Sequence, residues 1–241
     1  MGKTQEESFR AVVFDMDGVV IDTRTPIEAF WHHHAEVYGI TISREMMEER
    51  IHGCPARQTV EGVFGHIPKT EQEHLLEACE TFETGLDYVA MRGVQLLLKE
   101  LKQAGIPVAL VTSSLPPKVR KVQGVLGLEE AFTAIVTADL VERGKPDPAC
   151  YRLAAQKLGL EPAQCIAFED AYSGVKAAAG AGMYTVGVGP AGQEALLKEG
   201  GAQLLVPHFA EVTLRKEKEG GFVLQLNESV RLPVTAAYPI A

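Results

Sequence analysis

Residues 9–14 (FRAVVF) form a short, nearly unbroken apolar run, the pattern of a strand buried on both faces. It runs directly into Asp15-Met16-Asp17-Gly18. Over residues 25–91 the rhythm lengthens. Ile27, Phe30, Trp31, His34, Ala35 and Tyr38 recur at helical spacing. Ser43 is placed to cap a helix that carries Met46, Met47 and Ile51. Pro55 opens another, with Val60, Val63 and Phe64 turned inward. Thr70 starts a longer one, with Leu75, Cys79, Phe82, Leu86 and Val89 at steps of four and three. No strand is predicted in this stretch, which reads as a small helical bundle inserted early in the chain.

Beyond Met91 strands and helices alternate. Helices are predicted over 94–104, 116–125, 148–158 and 171–181, and strands over 106–111, 134–136, 165–168, 184–188 and 204–206. Gly105, Gly159 and Gly182 stand where helices stop, and Pro116 stands where one can start. Such βα repeats imply a parallel sheet flanked by helices. Residues 209–214 and 222–226, joined through Glu219-Gly220-Gly221, predict an added hairpin over 209–226. The charged run from Arg215 to Glu219 is its solvated tip. The expected fold is α/β: a Rossmann-like, doubly wound parallel sheet in residues 1–23 and 92–241, interrupted by an α-helical unit at 24–91.

With 46% apolar residues in 241, the chain can bury a proper core. A net charge of −9 argues against a nucleic-acid partner, which would want a basic face. It leaves an anionic small molecule open, because local cations override the global sign. Cys54, Cys79, Cys150 and Cys165 form no CxxC or CxxH pair, so a zinc site has no support. Free thiols point to a reducing, cytoplasmic setting. The opening MGKTQEESFR is not a secretory signal, and no run of 18 apolar residues predicts a membrane span. A monomer and a homodimer both fit.

Ligands of open α/β sheets bind beyond the carboxyl ends of the strands. Four polar clusters follow apolar strands here: Asp15/Asp17, Thr112/Ser113/Ser114, Lys145 and Glu169/Asp170. Strand geometry would turn Asp15 and Asp17 to one side, and close carboxylates repel unless a proton or cation intervenes. Four acids at one edge call for a hard divalent cation, most plausibly Mg²⁺. Lys145 and the Thr112 hydroxyl supply the opposite side of an anion site, and the loop after Thr112 leads into a helix N-terminus. His32, His33 and His34 point about 100° apart on a helix and cannot share one ion.

FDMDGVVID (14–22), VTSS (111–114), GKPDP (144–148) and FEDAYSGVKAAAGAGM (168–183) resemble the four ordered motifs of haloacid dehalogenase-like hydrolases. The helical insert resembles that superfamily's small cap, and the similarity runs from residue 9 to about 206. The β-phosphoglucomutase-like phosphatases and mutases are the nearest subgroup. The resemblance implies an enzyme acting on a small phosphorylated metabolite. Asp15 would be the nucleophile and Asp17 the general acid and base. Thr112, with Ser114, would hold a phosphoryl oxygen, and Lys145 would neutralise it. Mg²⁺ would be held by Asp15, the backbone of Asp17, Asp170 and Glu169. The segment His52-Gly53-Cys54-Pro55-Ala56-Arg57 resembles the family's specificity loop. His52 and Arg57 are therefore candidate substrate contacts, together with Ser113 and Ser114. Ile27 stands where relatives often carry a histidine, which favours a phosphatase over a sugar phosphomutase; a non-catalytic binding protein is the third reading. Cap closure would pivot near residues 22–25 and 91–93.

Overall fold

The computed structural model describes residues 8–217 and 221–236; the N-terminal residues 1–7, and Glu219 and Gly220 of the expected hairpin tip, lie outside them. The order is β1 (Ala11–Phe14), α1 (Arg24–Val37), α2 (Arg44–Arg50), α3 (Ala56–Val63), α4 (Lys69–Gly85), α5 (Val94–Gln103), β2 (Val108–Val111), α6 (Pro116–Leu126), β3 (Ala134–Val136) and α7 (Ala149–Leu158). It continues with β4 (Cys165–Glu169), α8 (Tyr172–Ala181), β5 (Tyr184–Val188), α9 (Glu194–Gly200), β6 (Leu204–Val206), β7 (Thr213–Lys216), β8 (Phe222–Gln225) and β9 (Arg231–Val234).

Strands β1 to β6 form one parallel sheet in the order β3-β2-β1-β4-β5-β6. This is the doubly wound α/β arrangement, and its order reverses between β1 and β4. Alternate β1 residues serve opposite faces, as strand geometry requires. Val12 and Phe14 join a core with α5 and α6, whereas Ala11 and Val13 join one with α7 and α8. Both faces are covered, which explains why these strands are apolar throughout.

Helices α1 to α4 gather around their own apolar cluster, which includes Trp31, Met47, Val60, Phe64 and Leu75. Ser43 caps α2 by accepting from the Met46 N–H at 3.1 Å. The helix expected to carry Val89 stops at Gly85, and Val89 is exposed. The backbone there is committed elsewhere: Asp22 donates to the Val89 carbonyl and Met91 to that of Val20, both at 2.9 Å. The chain's two crossings between sheet and insert are therefore hydrogen-bonded side by side.

The C-terminal stretch folds as an antiparallel sheet, β7-β8-β9. Residues 209–211, expected as strand, make a single 3₁₀ turn that drops Phe209 into the main core. Strand β9 then pairs with the segment just ahead of β1: Phe9 donates to the Pro233 carbonyl and Thr235 to that of Phe9. No helix among the described residues is long and apolar enough to cross a membrane.

Leu224 of β8 is fully buried in the same cluster as Phe14 and Leu98. Leu224→Ala is expected to cost about 2–5 kcal/mol of stability by urea denaturation. A loss below about 1 kcal/mol would mean that the small sheet is peripheral to the core.

Candidate active site

The carboxyl ends of β1 and β4, where strand order reverses, carry the acids. Asp15 follows β1 directly, Glu169 ends β4 and Asp170 follows it. One ligand oxygen from each of these three buried residues can lie within 4.8 Å of the others. Lys145, only 1% exposed, reaches in from the loop before α7 and donates to Asp15 Oδ1 and Glu169 Oε1, each at 2.5 Å. Glu169 also accepts from the Tyr151 hydroxyl at 2.6 Å and from the backbone N–H groups of Asp170 and Ala171. Both of its oxygens are thus occupied by protein donors. Among the described residues, the one ion pair of Asp170 is with Arg24, 3.6 Å away and shared with Glu28 and Glu48.

Burial, then the Glu169 charge, pushes the Asp15 carboxyl up to about 8 against the pull of Lys145. Burial and then the charges of Asp15 and Glu169 hold Asp170 well above the usual carboxylate range. An all-oxygen cluster with this much unanswered negative charge fits a hard divalent cation, with Asp15 and Asp170 the freest ligands. Two glycines make the close approach possible. A Cβ on Gly18, whose φ is +74°, would lie 2.0 Å from Asp170 Oδ2, and one on Gly174 would lie 1.9 Å from Glu169 Oε1.

Asp17 stands apart from this cluster. The chain leaves strand geometry after Phe14, so the two-residue spacing does not turn both carboxylates to one partner. Asp17 accepts from Lys118 at 2.8 and 2.9 Å, from the Thr23 hydroxyl at 2.7 Å and from the Ser114 hydroxyl at 3.2 Å. Burial would raise its pKa, but Lys118 and these hydrogen bonds outweigh burial and hold it below the ordinary value.

A cavity of about 1020 Å³ opens over Asp15, Asp17 and Asp170 and extends between insert and sheet. Ser113 and Ser114 line it, and Ser113 donates to the Gly53 carbonyl of the insert at 2.6 Å. Thr112, next in sequence to Ser113, is buried; its hydroxyl oxygen accepts from the Ser114 N–H at 3.0 Å, and among the described residues its own hydrogen meets no acceptor. His52 and Arg57 also line the cavity. His52 is paired with Glu28 at 2.9 Å; burial, then the Arg24 charge, lowers its pKa to about 4. Arg57 is exposed and paired with Glu73 at 3.2 Å.

Sequence reasoning passed over Lys118, Glu83, Arg24 and Tyr151. Tyr151 sits on the apolar face of α7 and reads as core. Lys118 did carry a signal: a lysine in the first turn of a helix opposes the helix dipole.

The chain matches the family model of haloacid dehalogenase-like hydrolases over residues 9–182. It is 33% identical to hexitol phosphatase A of Escherichia coli over 223 residues, covering 90% of this chain and 99% of that protein. It is equally 33% identical to the β-phosphoglucomutase of Bacillus subtilis over 233 residues, covering 92% and 99%. Among solved structures, β-phosphoglucomutase from Clostridium difficile superimposes with a TM-score of 0.72 at 27% identity, covering 85% of this chain and 93% of that one.

The folded-state pKa of Asp170 lies above its usual 3.8, so its destabilising effect is absent below that value and grows as pH rises. At pH 8, Asp170→Asn is expected to leave the metal-free melting temperature unchanged or raise it by about 2–4 °C, on the order of 1 kcal/mol for a chain of this size. If a divalent ion binds there, the substitution should also abolish the rise in melting temperature on adding Mg²⁺. Thermal melts with Mg²⁺ and with a chelator check this; an intact Mg²⁺ response would remove Asp170 from the ligand set.

Proposed function

This chain belongs to the haloacid dehalogenase-like hydrolases, and from that premise we propose that it is a Mg²⁺-dependent phosphatase that hydrolyses a small phosphorylated sugar or similar metabolite through an aspartyl-phosphate on Asp15. The observation that carries the reading is a buried Asp15 carboxylate, facing a cavity, with one oxygen on the Lys145 ammonium and Asp170 beside it.

Asp15 attacks phosphorus with its oxygen that is free of Lys145. An anion attacking an anion needs neutralising charge at the phosphoryl oxygens, and the buried Lys145 ammonium provides it. A bound Mg²⁺, held by Asp15 and Asp170 and by the backbone of Asp17, would add positive charge at the same oxygens. Glu169 keeps Lys145 and the turn after β4 in place. Thr112 donates its free hydroxyl hydrogen to a phosphoryl oxygen, and Ser114 holds Asp17. Asp17, ionised in the free protein, takes up a proton as the phosphate ester binds, gives it to the departing alkoxide, then takes one from the water that cleaves the aspartyl-phosphate. The helical insert, residues 24–91, serves as a cap that limits other water and sets the substrate, with Ser113, His52 and Arg57 among its contacts. The four free cysteines support a reducing compartment such as the cytoplasm.

A sugar phosphomutase is the second reading, since a β-phosphoglucomutase is as similar to this chain as a hexitol phosphatase. Two features favour hydrolysis. Ile27 offers the cavity wall no polar group for a second phosphate, and of the four lysines and arginines lining the cavity, Arg24, Arg57 and Lys118 are already paired with carboxylates, which leaves Arg143.

Purified protein with Mg²⁺ is expected to release inorganic phosphate from members of a sugar-phosphate and polyol-phosphate panel. Asp15→Asn should lower the rate by a factor on the order of 10³ or more without unfolding the protein. Phosphate release from no member would refute the reading. Interconversion of hexose 1- and 6-phosphates with little free phosphate would establish the mutase instead.

A further inference from the structure

Lys118 is unaccounted for by the chemistry above, and its placement is costly. It is the third residue of α6, in the turn where a cation opposes the helix dipole. It is 3% exposed, and a buried ammonium is stable only when paired. Its partners come from two parts of the molecule. Asp17, after β1, supplies both carboxylate oxygens at 2.8 and 2.9 Å, and Glu83, near the end of α4, supplies a third acceptor at 2.8 Å. Three ammonium hydrogens meet three carboxylate oxygens, so the group is fully used.

The remaining partners of Asp17 are hydroxyls, Thr23 on Oδ1 and Ser114 on Oδ2, which rotate freely and fix direction poorly. Among the described residues, Lys118 is the one partner that touches both oxygens. The α4 end is itself held from α6. One turn beyond Lys118, Lys121 donates to the carbonyls of Thr84 and Leu86 at 2.5 and 2.6 Å.

We propose that Lys118 is a positioning residue for Asp17, fixing the direction in which that carboxyl meets the leaving oxygen, and that Glu83 ties this hold to the location of the insert. The inference rests on the acid–base role given to Asp17 above. Lys118 acts through Asp17 and touches no substrate atom. Its effect therefore scales with how much the leaving group needs a proton. A purely structural lysine would affect all substrates alike.

The test compares first-turnover release of 4-nitrophenol and of phenol from the corresponding aryl phosphates, with Mg²⁺, in rapid-mixing experiments. The two substrates have nearly the same shape; nitrophenol leaves as a stable anion, whereas phenol needs the proton more. In Lys118→Met the nitrophenyl-to-phenyl rate ratio is expected to widen at least about tenfold over wild type, within the range of general acid catalysis. Lys118→Arg should recover most of that change, and Glu83→Gln should widen the ratio by a smaller factor. Asp17→Asn is the control. If it leaves the ratio unchanged, the role given to Asp17 fails. If it widens the ratio while Lys118→Met slows both substrates equally or neither, the role given to Lys118 fails. Should Lys118→Met not fold, Glu83→Gln decides the matter: a widened ratio supports the proposal and an unchanged one overturns it.

Discussion

The site exists because acids are held wholly or largely out of water, and two lysines make this tolerable. Lys145 joins Asp15 to Glu169, and Lys118 joins Asp17 to Glu83. Burying an ion costs several kcal/mol even after relaxation, and removing one member of a buried pair typically costs about 3–5 kcal/mol. Such pairs contribute little net stability. They do make the position of each carboxylate depend on elements distant in sequence. The acids come from the ends of β1, β4 and α4, and the ammonium groups from the loop before α7 and the first turn of α6.

Packing directly beneath the acids sets their spacing. Phe14 precedes Asp15, and Phe168 precedes Glu169. Their rings stack at 5.2 Å, and Phe209 meets both at 5.7 and 5.1 Å. Moving either strand end would have to displace a ring of this trio along with the carboxylate beside it. The two glycines act from the other side, since a methyl group at Gly18 or Gly174 would occupy the space of a carboxylate oxygen. Aromatic bulk below and missing side chains above together define a gap suited to three oxygens and an ion.

Much of this was readable from residue order. The apolar strands, the glycine stops and the helical stretch after Asp22 follow from periodicities that packing then reinforced. The four polar clusters after strands predicted Asp15, Lys145, Glu169 and Asp170 at one edge, because parallel strands share a carboxyl end. Less visible were features decided by tertiary contact. The four-and-three spacing runs on past Gly85, but pairing with residues 20–22 takes the backbone near Val89. Helix α9 has seven residues, too few for a period to show, and Pro233 makes β9 a poor strand by composition. The Lys118 bridge to Asp17 spans 101 positions in sequence. Spacing cannot reveal such a pair; only the dipole argument hints at it.

The union of β9 with Phe9 bears on how the molecule is made. A ribosome delivers residue 9 first and residues 233–235 more than two hundred positions later, yet these meet edge to edge. Until then, Phe9 lacks the strand it pairs with, and Leu232 and Val234 are missing from the core it shares. Maturation of the nascent chain therefore cannot proceed to completion from the front. The segment around residue 9 waits on one made more than two hundred residues later, and a product cut short between them would leave that apolar seam uncovered.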